Sequence, residues 1–153
     1  MTDLDLAALG TDLRLELKHY DLRPVYVAAT DLRTVPNHPR RLGDLGLVGG
    51  RDNLGQAIVM RLLTPRGELE ALAHPDYGSR LHELVGRTNT AATRNLVKLY
   101  VLEALQAEPR VEEVIDVAVE PAPGTRDRVD VTLTVQPRAG GAPLLIGPLA
   151  LEL

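Results

Sequence analysis

The 153-residue sequence predicts an α+β fold: a small antiparallel β-sheet packed on a helical layer with one long central helix. Residues 91–107 are apolar over most of a helical circumference, which marks a helix buried from several directions. Beyond Pro109 the apolar period changes to two. Val129, Val131, Leu133 and Val135 alternate with Asp130, Thr132, Thr134 and Gln136, so that strand has one dry face and one polar face. No internal repeat, heptad or low-complexity tract interrupts the chain, and 153 residues suit a single domain spanning 1–153.

Composition narrows the function classes. A net charge of −4 and a pI near 5.5 argue against nucleic-acid binding through bulk charge. The absence of cysteine excludes disulfides, thiolate metal sites and a cysteine nucleophile. Four tyrosines with no Phe or Trp leave a core of Leu, Val and Ala. The acidic start, Met1-Thr2-Asp3-Leu4-Asp5, is unlike a signal peptide, and no apolar run approaches membrane-spanning length. The expectation is a soluble protein kept in the cytoplasm, unless a larger particle carries it out, with no membrane insertion.

Taken in order, residues 1–10 read as a lead that is frayed or ordered by a partner. Leu13, Leu15 and Leu17 alternate with charged residues as a half-buried strand, and Val25-Tyr26-Val27-Ala28 suggests a second. Two prolines in Pro36-Asn37-His38-Pro39-Arg40-Arg41, followed by four glycines, predict a long loop over 36–50. That loop either touches a partner through His38 and the arginine pair or is simply solvated. Asn53 has the chemistry of an N-cap, with Gln56 three residues on, for a short helix over 54–63 whose stripe is Leu54, Ile58 and Leu62. Pro65 and Gly67 form a turn after it, and Pro75, Tyr77 and Gly78 a second. Ser79 caps a short helix carrying Leu81, Leu84 and Val85 and ending at Gly86. Thr88-Asn89-Thr90 caps the long helix. Val111–Val119 is a strand, Pro121-Ala122-Pro123-Gly124 its turn, and Leu144–Ile146 with Leu149–Leu153 a last apolar segment.

Signals of catalysis are few. His19, His38, His74 and His82 lack metal-ligand spacing, so neither metal nor cofactor is expected. Gly46-Leu47-Val48-Gly49-Gly50 has no lysine and is not a phosphate loop. Ser79, the only serine, stands in Gly78-Ser79-Arg80, which is not a nucleophile elbow. Glu68, Glu70 and Asp76 are the carboxylates from which a glycosidase pair would have to come, and they read as solvated turn charges. No catalytic residue is assigned.

Glu108-Pro109-Arg110 breaks a local rule. A glutamate at a helix C-terminus meets the negative end of the macrodipole, where a cation would be favoured by up to about 1 kcal/mol. Either Arg110 folds back onto the last carbonyls or onto Glu108, or the pair is held out rigidly as a docking point. Both readings stand at this level.

Three pieces in consistent order carry a resemblance. They are Asn53…Leu62-Leu63-Thr64-Pro65-Arg66-Gly67-Glu68, then Pro75-Asp76-Tyr77-Gly78-Ser79-Arg80-Leu81, then the long helix ending in Glu108-Pro109-Arg110-Val111. Together they resemble the GPW baseplate wedge family, which includes the small wedge subunit of contractile phage baseplates and the TssE-like subunits of type VI secretion. The resemblance covers residues 43–136, with 1–42 as an N-terminal extension and 137–153 as a C-terminal strand tail. It implies a non-enzymatic baseplate component of a phage tail, tailocin, type VI or extracellular injection system, incorporated into a particle that is in some cases released. It further implies that Glu108, Pro109 and Arg110 contact larger wedge subunits, and that the final strands initiate the sheath; from the residues alone, Leu149–Leu153 either pairs within the chain as an inner strand or leaves an edge that another chain completes. Val129, Val131, Leu133, Val135, Leu149 and Leu151 would then be partner-binding. Tube or hub proteins are further neighbours by this resemblance, and six copies would assemble. The stretch between Glu68 and Pro75 is longer than the family's compact form. A lysozyme-like glycan hydrolase and a free regulatory protein-binding module are the alternatives of different class.

Overall fold

The computed structural model describes residues 8–16, 31–37 and 42–153. Its main sheet comprises β7 (Val111–Pro121), β8 (Arg128–Pro137) and β9 (Leu144–Glu152), antiparallel in the order β7-β8-β9. The period-two pattern of β8 determines which face is dry: Val129, Val131, Leu133 and Val135 are each no more than 2% exposed. Helices α1 (Gly50–Leu63) and α2 (Ala91–Gln106) share the core with that face. Leu54, Ile58 and Leu62 of α1 meet Val97, Val101 and Leu105 of α2 there, so the antiparallel sheet on a helical layer is as expected.

Thr90 caps α2, its side chain accepting from the Thr93 N–H at 3.1 Å. Leu99 lies on the outer side of this helix, 55% exposed. The two turns between the helices are clasped together: Ser79 N–H donates to Thr64 O, and Arg66 N–H donates to Ser79 O. Gly78 is required there, since its φ is +106° and a Cβ would stand 2.5 Å from Thr64 O. Ser79 Oγ donates to Leu62 O at 2.7 Å and accepts from Leu81 N–H, so the only serine ties a turn to α1.

Three expectations change. Residues 36–50 are not a long loop: β4 (Thr34–Asn37) pairs antiparallel with β5 (Leu42–Leu45), and β6 (Leu47–Gly49) pairs with β1 (Thr11–Leu13). Pro36 is tolerated because a two-stranded ribbon leaves each strand one edge that needs no donor. Secondly, α1 begins at Gly50, three residues before Asn53, and Asn53 is not its cap. Its side-chain amide instead donates to Leu9 O, while Gln56 accepts from Leu15 N–H and donates to Leu13 O. Both amides serve the N-terminal strands, including β2 (Leu15–Glu16), which pairs with β3 (Asp31–Leu32). Thirdly, the apolar side chains of β8 and Leu151 do not face a partner, because the helices of the same chain cover them. The expected strand at Val25–Ala28, along with His38, Arg40 and Arg41, lies outside the described residues.

Candidate functional site

The rule-breaking Glu108 is 4% exposed, just past the C-terminal end of α2. Its backbone N–H still donates to Leu105 O, and its own carbonyl accepts from Val111 N–H, so residues 108–111 turn tightly into β7. The carboxylate is held between two guanidiniums. Arg110 Nε donates to Oε1 at 2.6 Å, and Arg61 Nη2, from the last turn of α1, donates to Oε2 at 3.3 Å. Arg110 also donates to Leu9 O, drawing the N-terminal segment into the same knot. Arg61 lies 4.5 Å from the centroid of the Tyr77 ring, a cation–π contact that links the second turn as well. These two cations answer the unfavourable end of the helix dipole.

The electrostatics are lopsided. Burial alone would raise the Glu108 pKa, but the Arg110 hydrogen bond and the charges of Arg110 and Arg61 outweigh it and hold the carboxyl below its ordinary value. Burial raises the Tyr77 phenol above its usual value, with Arg61 opposing, so the ring stays neutral beneath the cation. Arg61 Nε is buried with no hydrogen-bond partner among the described residues. One carboxylate thus serves two cations in a dry site.

Of the expected contact residues, Glu108 faces inward, Pro109 is exposed, and Arg110 keeps 27% of its side chain open. Pro65, Gly67, Pro75, Tyr77 and Gly78 all lie in the two turns, where Arg66 bridges Asp76 and Glu103. Arg61 was the missed residue. Its signal was present, since it lies three residues beyond Ile58 and seven beyond Leu54, on the apolar stripe of α1, where a charge demands a partner.

A second feature is the outer edge of β9. Leu144–Glu152 does pair within the chain, but as an outer strand, and among the described residues nothing pairs beyond it. Leu153 N–H donates to Asp127 O, so by alternation Leu151 and Leu149 turn their backbone groups toward β8 while Ala150 and Glu152 turn theirs outward. A bulge at Gly147-Pro148 separates this stretch from Leu144–Ile146. No group of residues with metal-ligand chemistry occurs among the described residues, and none of their helices is long and apolar enough to cross a membrane.

Comparison with known proteins shows a family and a likeness of fold. The family model described as contractile injection system sheath initiator matches residues 27–140, extending past both ends of the 43–136 resemblance. A crystal structure of a candidate tail lysozyme from Geobacter sulfurreducens superposes with a TM-score of 0.54 at 24% identity, covering 67% of this chain and 87% of that one. At that identity the likeness concerns the fold alone. No curated protein matches the sequence.

Proposed function

The chain belongs to the contractile injection system sheath initiator family, a structural family of phage-tail-like particles, and on that premise we propose how it makes its two contacts. The outer edge of β9 receives a strand of the sheath, extending the three-stranded sheet by strand addition. The turn at Pro109 and the open side of Arg110 dock on the larger wedge subunits, with Glu108 as the internal anchor that holds the turn in shape. Six copies and neighbouring tube or hub proteins complete the picture.

The observation that carries the first contact is that β9 pairs on one side only among the described residues, with Ala150 and Glu152 presenting their backbone groups outward. Ala150→Pro removes one outward N–H and leaves the bonds to β8 in place, a substitution that edge strands tolerate. It should give a protein that melts within a few degrees of wild type, still binds the wedge, and yields tubes without sheath. Normal sheathed particles from this variant would overturn the edge assignment. For the second contact, Pro109→Asp alters an exposed residue and leaves the Arg61–Glu108–Arg110 knot intact. Co-purification with the wedge subunits should fall about ten-fold or more, equivalent to about 1.4 kcal/mol. Undiminished co-purification would remove the turn from the wedge contact.

Glycan hydrolysis is not expected. Glu68 and Glu70 are exposed, and Asp76, 84% exposed at its side chain, is paired with Arg66. None of them has the dry pocket that would make it a general acid. Purified protein should clear no peptidoglycan from mildly acidic to neutral pH; clearing that vanishes in Glu68→Gln would establish an enzyme.

A further inference from the structure

We propose that the segment received along β9 is acidic, an extended strand alternating apolar residues with carboxylates, and that a basic cleft beside Leu144–Ile146 selects it. This rests on the strand-addition reading and names the chemistry of the partner. The cleft has a volume of about 460 Å³ and runs between Leu144–Ile146 of β9, the first three turns of α1 and the N-terminal ribbons. Arg14, Arg33 and Arg51 line it, against one carboxylate, Asp52, among the described lining residues. In a chain of net charge −4 this is a local reversal of sign.

Among the described residues these three guanidiniums meet no carboxylate within 4.0 Å, unlike five other arginines of the fold. Arg61, Arg66, Arg80, Arg110 and Arg128 each meet a carboxylate within 4.0 Å. Among the described residues the Arg14 side chain donates to Leu47 O at 3.4 Å and that of Arg51 to Pro143 O at 2.9 Å. The Arg33 side chain is exposed and bonds to none of the described residues. Three cations against the single carboxylate of Asp52 among the described lining residues favour an anionic partner and suppress a basic one. A free phosphate is the poorer fit, because the same cleft is lined by Leu144, Leu145 and Ile146, with Leu145 67% exposed. An exposed leucine on a strand beside arginines suits an extended peptide, whose backbone would pair with the sheet edge while its acidic side chains reach the guanidiniums.

The test uses the full chain and three synthetic peptides of one alternating pattern, with valine at every second position and Glu, Gln or Lys between. Fluorescence anisotropy should show the Glu peptide binding at least about ten-fold tighter than the Gln peptide, an advantage that shrinks as salt rises from about 50 to 500 mM. The Lys peptide should not bind. Arg33→Glu, at an exposed residue, should remove the preference with an unchanged melting temperature, and Arg14→Glu provides a second variant in case one perturbs the fold. Equal affinity for all three peptides, no binding of the Glu peptide, or competition by inorganic phosphate as effective as by the Glu peptide would overturn the proposal. Any of those results alongside sheath loss in Ala150→Pro leaves strand addition standing and removes only its acidic selectivity. Normal sheath in Ala150→Pro removes both.

Discussion

Glu108→Ala should destabilise the protein by about 3–5 kcal/mol, the usual consequence of deleting one partner from a buried ion pair. The carboxylate is 3% exposed at its side chain and stands between Arg61 and Arg110, so its removal leaves two cations facing each other. Arg61 is 7% exposed and cannot turn to water without opening the core. The Tyr77 face offers it about 0.5–2 kcal/mol, too little to replace a carboxylate. For a chain of this length the melting temperature should drop by roughly 6–20 °C. A drop under about 2 °C would show that the knot contributes nothing measurable to stability. The pH dependence follows with a definite sign. The folded pKa of Glu108 lies below its ordinary 4.5, so its contribution is present above that value and is lost as pH falls through the lowered one. Glu108→Gln should flatten this acid limb, measured by thermal melts from about pH 3 to 7.

Deleting residues 144–153 should abolish cooperative folding rather than produce a sheath-deficient but soluble subunit. By resemblance 137–153 is a C-terminal strand tail outside the family-like core, but Ile146, Leu151 and Leu153 are buried at 7%, 5% and 6% exposure. Each such side chain contributes about 1.5–3 kcal/mol by burial. Three of them, with the β8 ladder that they accompany, rival the whole stability of a typical domain at about 5–15 kcal/mol. Circular dichroism of the truncated chain should show no sigmoidal melt. A cooperative transition near the wild-type temperature would mean that β9 is dispensable to the fold. This outcome is why Ala150→Pro, which alters only the outward edge, is the variant that separates sheath pairing from folding.

The main elements were legible because they rest on short-range signals. The period of two in Val129–Gln136, the Thr90 cap and the stripe of Leu54, Ile58 and Leu62 are each contained within a dozen residues, and each marks a real strand, helix start or buried face. The pieces that carry the family resemblance are equally local, and the family model agrees with them. Where the sequence misled, a distant partner had changed a residue's role. Asn53 has the chemistry of a cap, yet its amide is taken by Leu9, 44 residues away, and the helix starts earlier at a glycine. Glu108 left two readings open because its main counter-charges come from Arg110, beside it, and Arg61, 47 residues away. Propensity and period therefore determined which segments are helix and strand. Only the packing of α1 against the end of α2, and of β9 onto β8, decided that Glu108 of the charged motif faces inward and that β9 is the outer strand of its sheet among the described residues, because burial and pairing depend on which surfaces meet.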